Sequence, residues 1–363
     1  MRYKGSDKVE ADYREFGTLL SSPACTIAQY IRYVELDRPL ALFFDTGEHL
    51  LWLVRLQNLV TLRIDGMPEY QRTAFNTLGP SISPLSSLKS LTIRRVGFVD
   101  LSVFMSTLSA LPQLHDLSLY AIYTLRHTNQ PSTDALLEAN RHVLPNLRRL
   151  RCYIHRDLQR PFFALLAALP RPPPIAYLDI PMAAPSTGDT PLYTDFLCAI
   201  SPTLTALRLD PSDQGAFLEL ADGAPLDLAT LEHLHSVTIE LVLLTSPYLR
   251  RMAQRVTNLL LCALQPPALQ KLALSFNILL KSPDLLRYMV EGDVLDGRME
   301  QLPSLQQVKF IFSIPSDFAQ MPALHRDIEQ LIRGLLPKAS ARGVLQLRVL
   351  KPYTTIESAD AGL

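Results

Sequence analysis

The sequence predicts an α/β solenoid in which short parallel strands alternate with helices and stack along one axis. Three observations predict this fold class. One pattern of apolar residues recurs along the chain, the first positions of its copies lie 26 to 39 residues apart, and apolar residues at helical spacing occupy the intervals. A solenoid also accommodates 363 residues without one large core, because each repeat packs only against its neighbours.

The recurring pattern is an apolar residue, two others, a second apolar residue, one other and a third apolar residue. The nine clear copies have their apolar positions at Leu59, Leu62, Ile64; Leu88, Leu91, Ile93; Leu114, Leu117, Leu119; Leu147, Leu150, Cys152; Ile175, Leu178, Ile180; Leu204, Leu207, Leu209; Leu234, Val237, Ile239; Leu269, Leu272, Leu274; and Leu305, Val308, Phe310. Weaker copies flank them at Ile31, Val34, Leu36 and at Val344, Leu347, Val349. The alternation within each copy predicts a short strand with one buried face. Recurrence near every 28 residues is typical of leucine-rich repeats, each with one strand and one helix.

We therefore predict a leucine-rich-repeat horseshoe of about ten to eleven irregular repeats over residues 31-350, with parallel strands on the concave face and helices on the convex face. Residues 1-30 are predicted to form an N-terminal entry and capping helix, and residues 351-363 a flexible C-terminal tail. The asparagine that usually follows the strand is present only at Asn277. The other turns must therefore satisfy their backbone groups by different means.

The segments between the strands carry helix signals. Asp100 is placed to cap a helix whose apolar face comprises Leu101, Phe104, Met105, Leu108 and Leu111. A run that we expect to be core packing comprises Phe162, Phe163, Leu165, Leu166 and Leu169. Prolines precede five of the strands, at Pro112, Pro145, Pro202, Pro267 and Pro303. We expect each proline to end the preceding helix and to extend the chain into the strand.

Composition limits the classes of function. The chain has 35 basic and 35 acidic residues, and this balance argues against a nucleic-acid ligand, because phosphate contacts dominate such binding. No signal peptide opens the chain, and no apolar run is long enough to span a membrane. Four cysteines without a CxxC pair favour reduced thiols. We expect a soluble cytoplasmic or nuclear protein that does not bind membranes.

Motifs for catalysis and cofactor binding are absent from the sequence. It contains no GxxxxGK[ST] or GxGxxG phosphate loop and no GxSxG nucleophile elbow. The histidine pair His233 and His235 lacks a second cluster that would complete a metal site, and we interpret both residues as surface or strand-entry residues. The sequence thus predicts no enzyme, no cofactor and no metal. An enzymatic site within the long C-terminal inter-strand segments is the less favoured alternative.

The chain resembles the leucine-rich-repeat region of fungal F-box proteins. The resemblance is carried by irregular repeats of this length, by the Pro-x-Leu sequences before the strands, and by FGTLLSSPACTIAQYIRYVEL from Phe16 to Leu36, which is similar to the entry helix and first strand that follow the F-box. It implies substrate recognition for an SCF ubiquitin ligase, with a Skp-type adaptor and a cullin as partners. The F-box module itself is expected to be absent, because the residues before the entry helix do not supply it. The alternative is a stand-alone protein-interaction scaffold unrelated to ubiquitin.

A partner is expected on the concave face, which the residues between the apolar strand positions line. One set of arginine and tyrosine residues falls on successive predicted strands: Arg94, Tyr120, Arg149, Arg151, Tyr153 and Tyr177. These residue types are enriched at binding hot spots. Our hypothesis is that this set anchors an acidic or aromatic peptide of a protein ligand. The alternative is a solvated face whose charges neutralise one another, as in Glu35–Arg63 and Arg151–Asp179–Arg208.

Overall fold

The computed structural model describes residues 15–37, 48–66, 82–98, 100–124, 136–138, 141, 143–181, 190–210, 227–243, 257–278, 291–313 and 322–350. The predicted C-terminal tail, residues 351-363, lies outside these ranges. The chain divides into two compact units, Met1–Ala176 and Tyr177–Leu363. We describe each unit by itself.

The first unit contains an open, all-parallel sheet. Its strands are β1 (Tyr33–Asp37), β2 (Thr61–Asp65), β3 (Ser90–Arg94), β4 (Gly97–Phe98), β5 (Asp116–Thr124) and β6 (Arg149–Ile154). The pairing follows the chain from β1 to β2, β3, β5 and β6, and the short β4 pairs with β5. Neighbouring strands therefore come from successive copies of the sequence pattern.

Helices connect these strands. Residues 15–21 and 136–138 are helical, and the other described helices include two 3-10 segments at Ala28–Tyr30 and Glu48–Arg55, α1 (Leu101–Ser109) and α2 (Arg156–Ala168). The predicted cap of α1 is confirmed, because the carboxylate of Asp100 accepts a hydrogen bond of 2.9 Å from the N–H of Val103. Phe104 of α1 lies 4.8 Å from Phe98 and 5.5 Å from Phe162 of α2, measured between ring centroids. The two helices thus share one aromatic core.

The second unit has the same architecture. Its strands are β7 (Tyr177–Pro181), β8 (Ala206–Asp210), β9 (Ser236–Leu243), β10 (Lys271–Ile278), β11 (Gln307–Ser313) and β12 (Leu345–Leu350), parallel and paired in chain order. Its helices are α3 (Thr190–Ile200), residues 257–263, α4 (Gly292–Glu300), α5 (Pro322–Leu335) and α6 (Pro337–Ala341). Both units are thus open parallel α/β repeat sheets, and the predicted leucine-rich-repeat fold class is confirmed.

The buried core follows the sequence pattern closely. Every apolar position of the nine clear copies is buried, and none is more than 3% exposed. The five apolar residues predicted as core within 162–169 are buried as well. The side chains between these positions point to the opposite face of each sheet. We call this the open face, defined in the first unit by Arg63, Thr92, Ser118 and Arg151 and in the second by Asp179, Arg208 and Thr238.

The last strand departs from the predicted register. The pattern at Val344, Leu347 and Val349 predicts that Arg348 lies beside Lys309, but Gln346 pairs with Lys309, and Arg348 pairs with Ile311. The shift amounts to two residues. Because side chains alternate with a period of two, such a shift leaves the same residues on the open face. Apolar alternation alone therefore cannot distinguish the two registers.

The strand-entry prolines act through turns. The N–H of Leu114 donates to the carbonyl of Leu111 across 3.2 Å, which closes a turn with Pro112 in its second position, where proline has the required φ. The same bond, from Leu59 to Leu56 across 2.9 Å, forms without a proline. Proline favours this turn and is not required for it.

In three copies of the pattern in the first unit, the residue one before the position equivalent to Asn277 is a glycine or has a left-handed backbone. Arg95 and Ala121 have φ values of 54° and 52°. The N–H of Arg95 donates to the carbonyl of Tyr120 across 2.8 Å, and the N–H of Gly66 donates to the carbonyl of Arg94 across 2.7 Å. Backbone bonds between adjacent turns thus replace the asparagine side chains. Asn277 itself lies within β10.

Candidate functional site

Three of the six predicted partner-binding residues form a continuous row, near the carboxyl ends of β3 and β6 and in the middle of β5. Arg94 on β3 pairs in register with Tyr120 on β5, which pairs with Tyr153 on β6. The guanidinium carbon of Arg94 lies 4.7 Å from the centroid of the Tyr120 ring. The rings of Tyr120 and Tyr153 are stacked, with centroids 5.3 Å apart and planes inclined by 15°. We call these residues the Arg–Tyr–Tyr row.

Stacking orders the side chains of this row before any ligand binds. A guanidinium over an aromatic face is attracted by the ring quadrupole, and offset aromatic stacking adds a further favourable contact. Arg94, Tyr120 and Tyr153 are each half-buried. The Nε of Arg94 is buried and has no hydrogen-bond partner among the described residues. An ordered cationic and aromatic edge loses little rotamer entropy when it binds a partner.

Arg149 and Arg151 lie on the same face of β6 as Tyr153, because alternate residues of a strand share a face. Arg151 is in register with Ser118, and Arg149 with Asp116. The Nε of Arg149 lies 3.7 Å from the carboxylate of Asp116, and half of the Arg149 side chain is exposed. A pair this exposed contributes little stability. The first unit thus brings together five of the predicted residues.

The sixth predicted residue, Tyr177, belongs to the second unit. It opens β7 and pairs in register with Ala206 on β8. It is half-buried. The structure therefore describes Tyr177 separately from the cluster in the first unit.

Ion pairs neutralise other parts of the open face, as the alternative interpretation of the sequence expected. Arg63 lies 3.7 Å from Glu35 in the first unit. In the second unit Arg208 lies 3.7 Å from the buried carboxylate of Asp179 and also pairs with Glu240. The alternation of charge between strands predicted the Arg63–Glu35 and Arg208–Asp179 contacts and did not predict the contact of Arg208 with Glu240.

Arg95 was also missed by the sequence analysis. Its Nε and guanidinium nitrogen lie 2.8 Å and 2.7 Å from the same carboxylate oxygen of Asp65. Arg95 follows the end of β3, and its left-handed backbone departs from the strand alternation on which the prediction relied. The sequence feature that indicates this contact is Gly66, because a residue without a side chain allows the backbone of Arg95 to approach closely.

His233 is exposed and His235 is half-buried at the entry to β9, which agrees with their interpretation as strand-entry residues. Within the described ranges, no three His, Cys, Asp or Glu side chains form a group that could hold a metal ion. None of the described helices has the length and apolar character needed to cross a membrane.

Comparisons with known proteins show a structural likeness to solved structures. No protein-family model matches the chain, and no curated protein matches it. Among solved structures, the chain is similar to a chain in the structure titled "Crystal structure of Rad7 and Elc1 complex in yeast", with 13% sequence identity over 85% of this chain and 88% of that chain. The TM-score of the superposition is 0.35.

Proposed function

We propose that this chain is a protein-binding repeat scaffold that acts as an F-box-like substrate-recognition subunit, or an F-box-less relative of one, in an SCF ubiquitin ligase. It binds and does not catalyse. The partner is a protein or peptide that docks on the open face of the first unit. A Skp-type adaptor and a cullin are the further partners that this role requires.

The observation that carries the binding proposal is the Arg–Tyr–Tyr row with Arg149 and Arg151 beside it. Arginine and tyrosine bury large areas at modest entropic cost and dominate many interfaces. Here they lie on neighbouring strands of one rigid sheet, which positions them more precisely than loops would. The stacking contacts of 4.7 Å and 5.3 Å order Arg94 and both tyrosines in advance.

The assignment to a ubiquitin ligase rests on the sequence. It is supported by the irregular repeats with Pro-x-Leu entries and by the phrase from Phe16 to Leu36, which resemble those of fungal F-box proteins. The alternative, a stand-alone scaffold, requires the same binding face without the adaptor. The ligase role and the stand-alone role therefore differ in whether a Skp-type adaptor binds the chain in the cell.

Affinity purification of the tagged full chain from its native cells, followed by mass spectrometry, tests this role. We expect the Skp-type adaptor and a cullin to co-purify, together with candidate substrates. The variant R149A/R151A/Y153A should lose substrates and retain the adaptor, because it alters only the open face. A matched control is R55Q/R171Q/R326Q, three exposed cations outside the cluster, which should retain both.

Two results would contradict the proposal. Stable partners without the adaptor and cullin would identify a stand-alone scaffold and remove the ligase role. Retention of every partner by the R149A/R151A/Y153A variant would exclude this cluster as the binding site. Circular dichroism on each purified variant verifies that the fold is intact.

A further inference from the structure

A second row of basic residues lies at the opposite ends of the same strands. Lys89, His115 and Arg148 immediately precede β3, β5 and β6. The N–H of His115 donates to the carbonyl of Lys89 across 2.8 Å, and the N–H of Arg148 donates to the carbonyl of His115 across 2.9 Å. The three residues are therefore neighbours, about 4.8 Å apart from strand to strand. We call them the entry row.

The entry row is exposed, and Lys89 and Arg148 give it two positive charges. All three side chains are exposed. The turns that lead into these strands, residues 85–89, 111–115 and 144–148, contain no aspartate or glutamate. Within the described part of the chain, neither Lys89 nor Arg148 has a carboxylate partner. Their charges are thus available to a ligand.

The second unit shows that the fold does not need these charges. Its equivalent positions are Thr205, His235, Gln270 and Gln306. They form the same backbone ladder, in which His235 donates to Thr205, Gln270 to His235 and Gln306 to Gln270, each across 2.9 Å. Backbone atoms alone make these bonds. The fold therefore does not require the positive charges of Lys89 and Arg148.

We propose that the entry row binds an acidic segment of the protein partner. This proposal deepens the proposed function and rests on it, because the ligand is taken to be a protein. Lys89 and Arg148 bind carboxylates at the entry end of the strands, and the Arg–Tyr–Tyr row binds side chains at the exit end. From Arg148 to Tyr153 the strand spans about 17 Å, which about five extended ligand residues would cover.

Charge favours a protein ligand over a nucleic acid. The open face beside the entry row carries Glu35, Asp65 and Asp116, each near an arginine. Tight nucleic-acid binding takes about six to ten cationic phosphate contacts, and these carboxylates would repel a continuous phosphate backbone. A peptide carries carboxylates at only some of its residues. Those carboxylates can bind the entry row while the neutral side chains of the peptide lie on the open face.

Fluorescence anisotropy with defined peptides tests the entry row on the purified full chain. The probe is a labelled peptide of four Glu-Glu-Tyr repeats, and the neutral comparison is four Gln-Gln-Tyr repeats. We expect K89Q/R148Q to bind the acidic probe about fivefold or more weakly than the wild type, since exposed charge pairs contribute about 0.2–1 kcal/mol each. The wild type should also bind the neutral peptide at least about fivefold more weakly than the acidic one.

The matched control is R55Q/R171Q, which removes two exposed cations of the same unit away from the row and should bind the acidic probe as the wild type does. Glutamine is native at two of the equivalent positions of the second unit, Gln270 and Gln306, so K89Q/R148Q should keep the fold, and circular dichroism verifies it. Equal binding of the acidic probe by K89Q/R148Q and the wild type would overturn the proposal. So would binding of an oligodeoxythymidylate of about twelve nucleotides as tightly as the peptide, which would indicate a general polyanion site.

The outcome is separable from that of the proposed function. The peptide assay contains no adaptor or cullin, so a purification that lacks them would leave the peptide result unchanged. Conversely, loss of charge discrimination in the peptide assay would remove the entry row as a site and leave the ligase role standing.

Discussion

The guanidinium of Arg94 lies over the ring of Tyr120, with its central carbon 4.7 Å from the ring centroid. We expect R94Q and Y120L each to lower the free energy of unfolding, and the double variant to lower it by less than the sum. The expected coupling is about 0.5–1 kcal/mol, the size of a cation–π contact at an exposed site. A double-mutant cycle from urea unfolding measures it.

The comparison pair for this cycle is R94Q with R171Q, because Arg171 lies in the segment between α2 and β7 and shares no partner with Arg94 among the described residues. Their effects should add to within about 0.5 kcal/mol. Strict additivity of R94Q and Y120L would mean that the observed stacking contributes nothing to stability.

Gly66 is a position in the first unit where a methyl group has no room. A Cβ there would lie 2.2 Å from the carbonyl oxygen of Arg95. G66A should therefore destabilise the protein by about 1–3 kcal/mol, as expected for overpacking against backbone. The measurement is the midpoint of denaturant unfolding.

Substitution of Gly297 by alanine is expected to have the opposite effect on stability. It lies inside α4, and a Cβ there would meet nothing within 4 Å. G297A should stabilise the protein by about 0.5–1 kcal/mol, because alanine loses less conformational entropy in a helix. A stabilised G66A variant would contradict the packing described around Gly66, and a destabilised G297A variant would contradict the open surroundings of Gly297.

Asp296 caps a helix from a neighbouring element. This residue of α4 is 2% exposed, and its two carboxylate oxygens accept hydrogen bonds of 2.8 Å from the N–H groups of Lys338 and Ala339 at the start of α6. D296A should cost about 2 kcal/mol or more, because it leaves two N–H donors unsatisfied. D296N keeps one acceptor oxygen and should cost less.

The control for Asp296 is D293A on the same helix, where the side chain is exposed. It should cost less than about 1 kcal/mol, the range of a helix-dipole contact. Thermal unfolding followed by circular dichroism ranks the three variants, and a loss for D293A equal to that for D296A would argue against the capping role.

Cys262 and Cys198 should differ in reactivity. Burial raises the pKa of the Cys262 thiol, and the nearby carboxylate of Asp227 raises it further, whereas Cys198 is exposed. Because the thiolate is the reactive form, Ellman's reagent near pH 8 should modify Cys198 first. C198S should remove a rapid phase that C262S leaves intact.

The same shift gives a pH dependence of stability. A folded-state pKa above the unfolded value means that the contribution of Cys262 is fully present below the unfolded thiol pKa of about 8.5 and is lost as the pH rises through the folded value. The C262A variant should therefore show a flatter decline of stability above about pH 8.5. An identical decline in wild type and C262A would contradict the assigned cause.

Strand position was the most predictable feature of the fold. The apolar alternation within each copy of the pattern predicted each buried residue of β2 and β3. Alignment of successive copies placed Arg94 beside Tyr120 correctly. Burial on one face makes such a register specific. At β12 the half-buried Leu347 and Val349 impose no such constraint, and the predicted register was wrong by two residues.

Turn geometry and the surface beyond the strands could not be predicted in this way. The left-handed φ of Arg95 turns its side chain toward Asp65. A two-residue alternation of apolar residues contains no signal for such a backbone conformation. The entry row lies one residue before each strand, outside the columns that strand alternation defines. Its ordering by backbone hydrogen bonds between Lys89, His115 and Arg148 became apparent only from the structure.

Apart from the short β4, the strands of each unit pair in the order in which they occur in the chain, and this has a consequence for biosynthesis. The partner of β1 is β2, so the first hydrogen-bonded pair is complete once Asp65 has left the ribosome. Each later copy adds to an edge that already exists, at a separation of 26 to 39 residues, and therefore with a modest loop-closure cost. The chain can fold progressively during translation, and each new strand covers the apolar edge left by the one before.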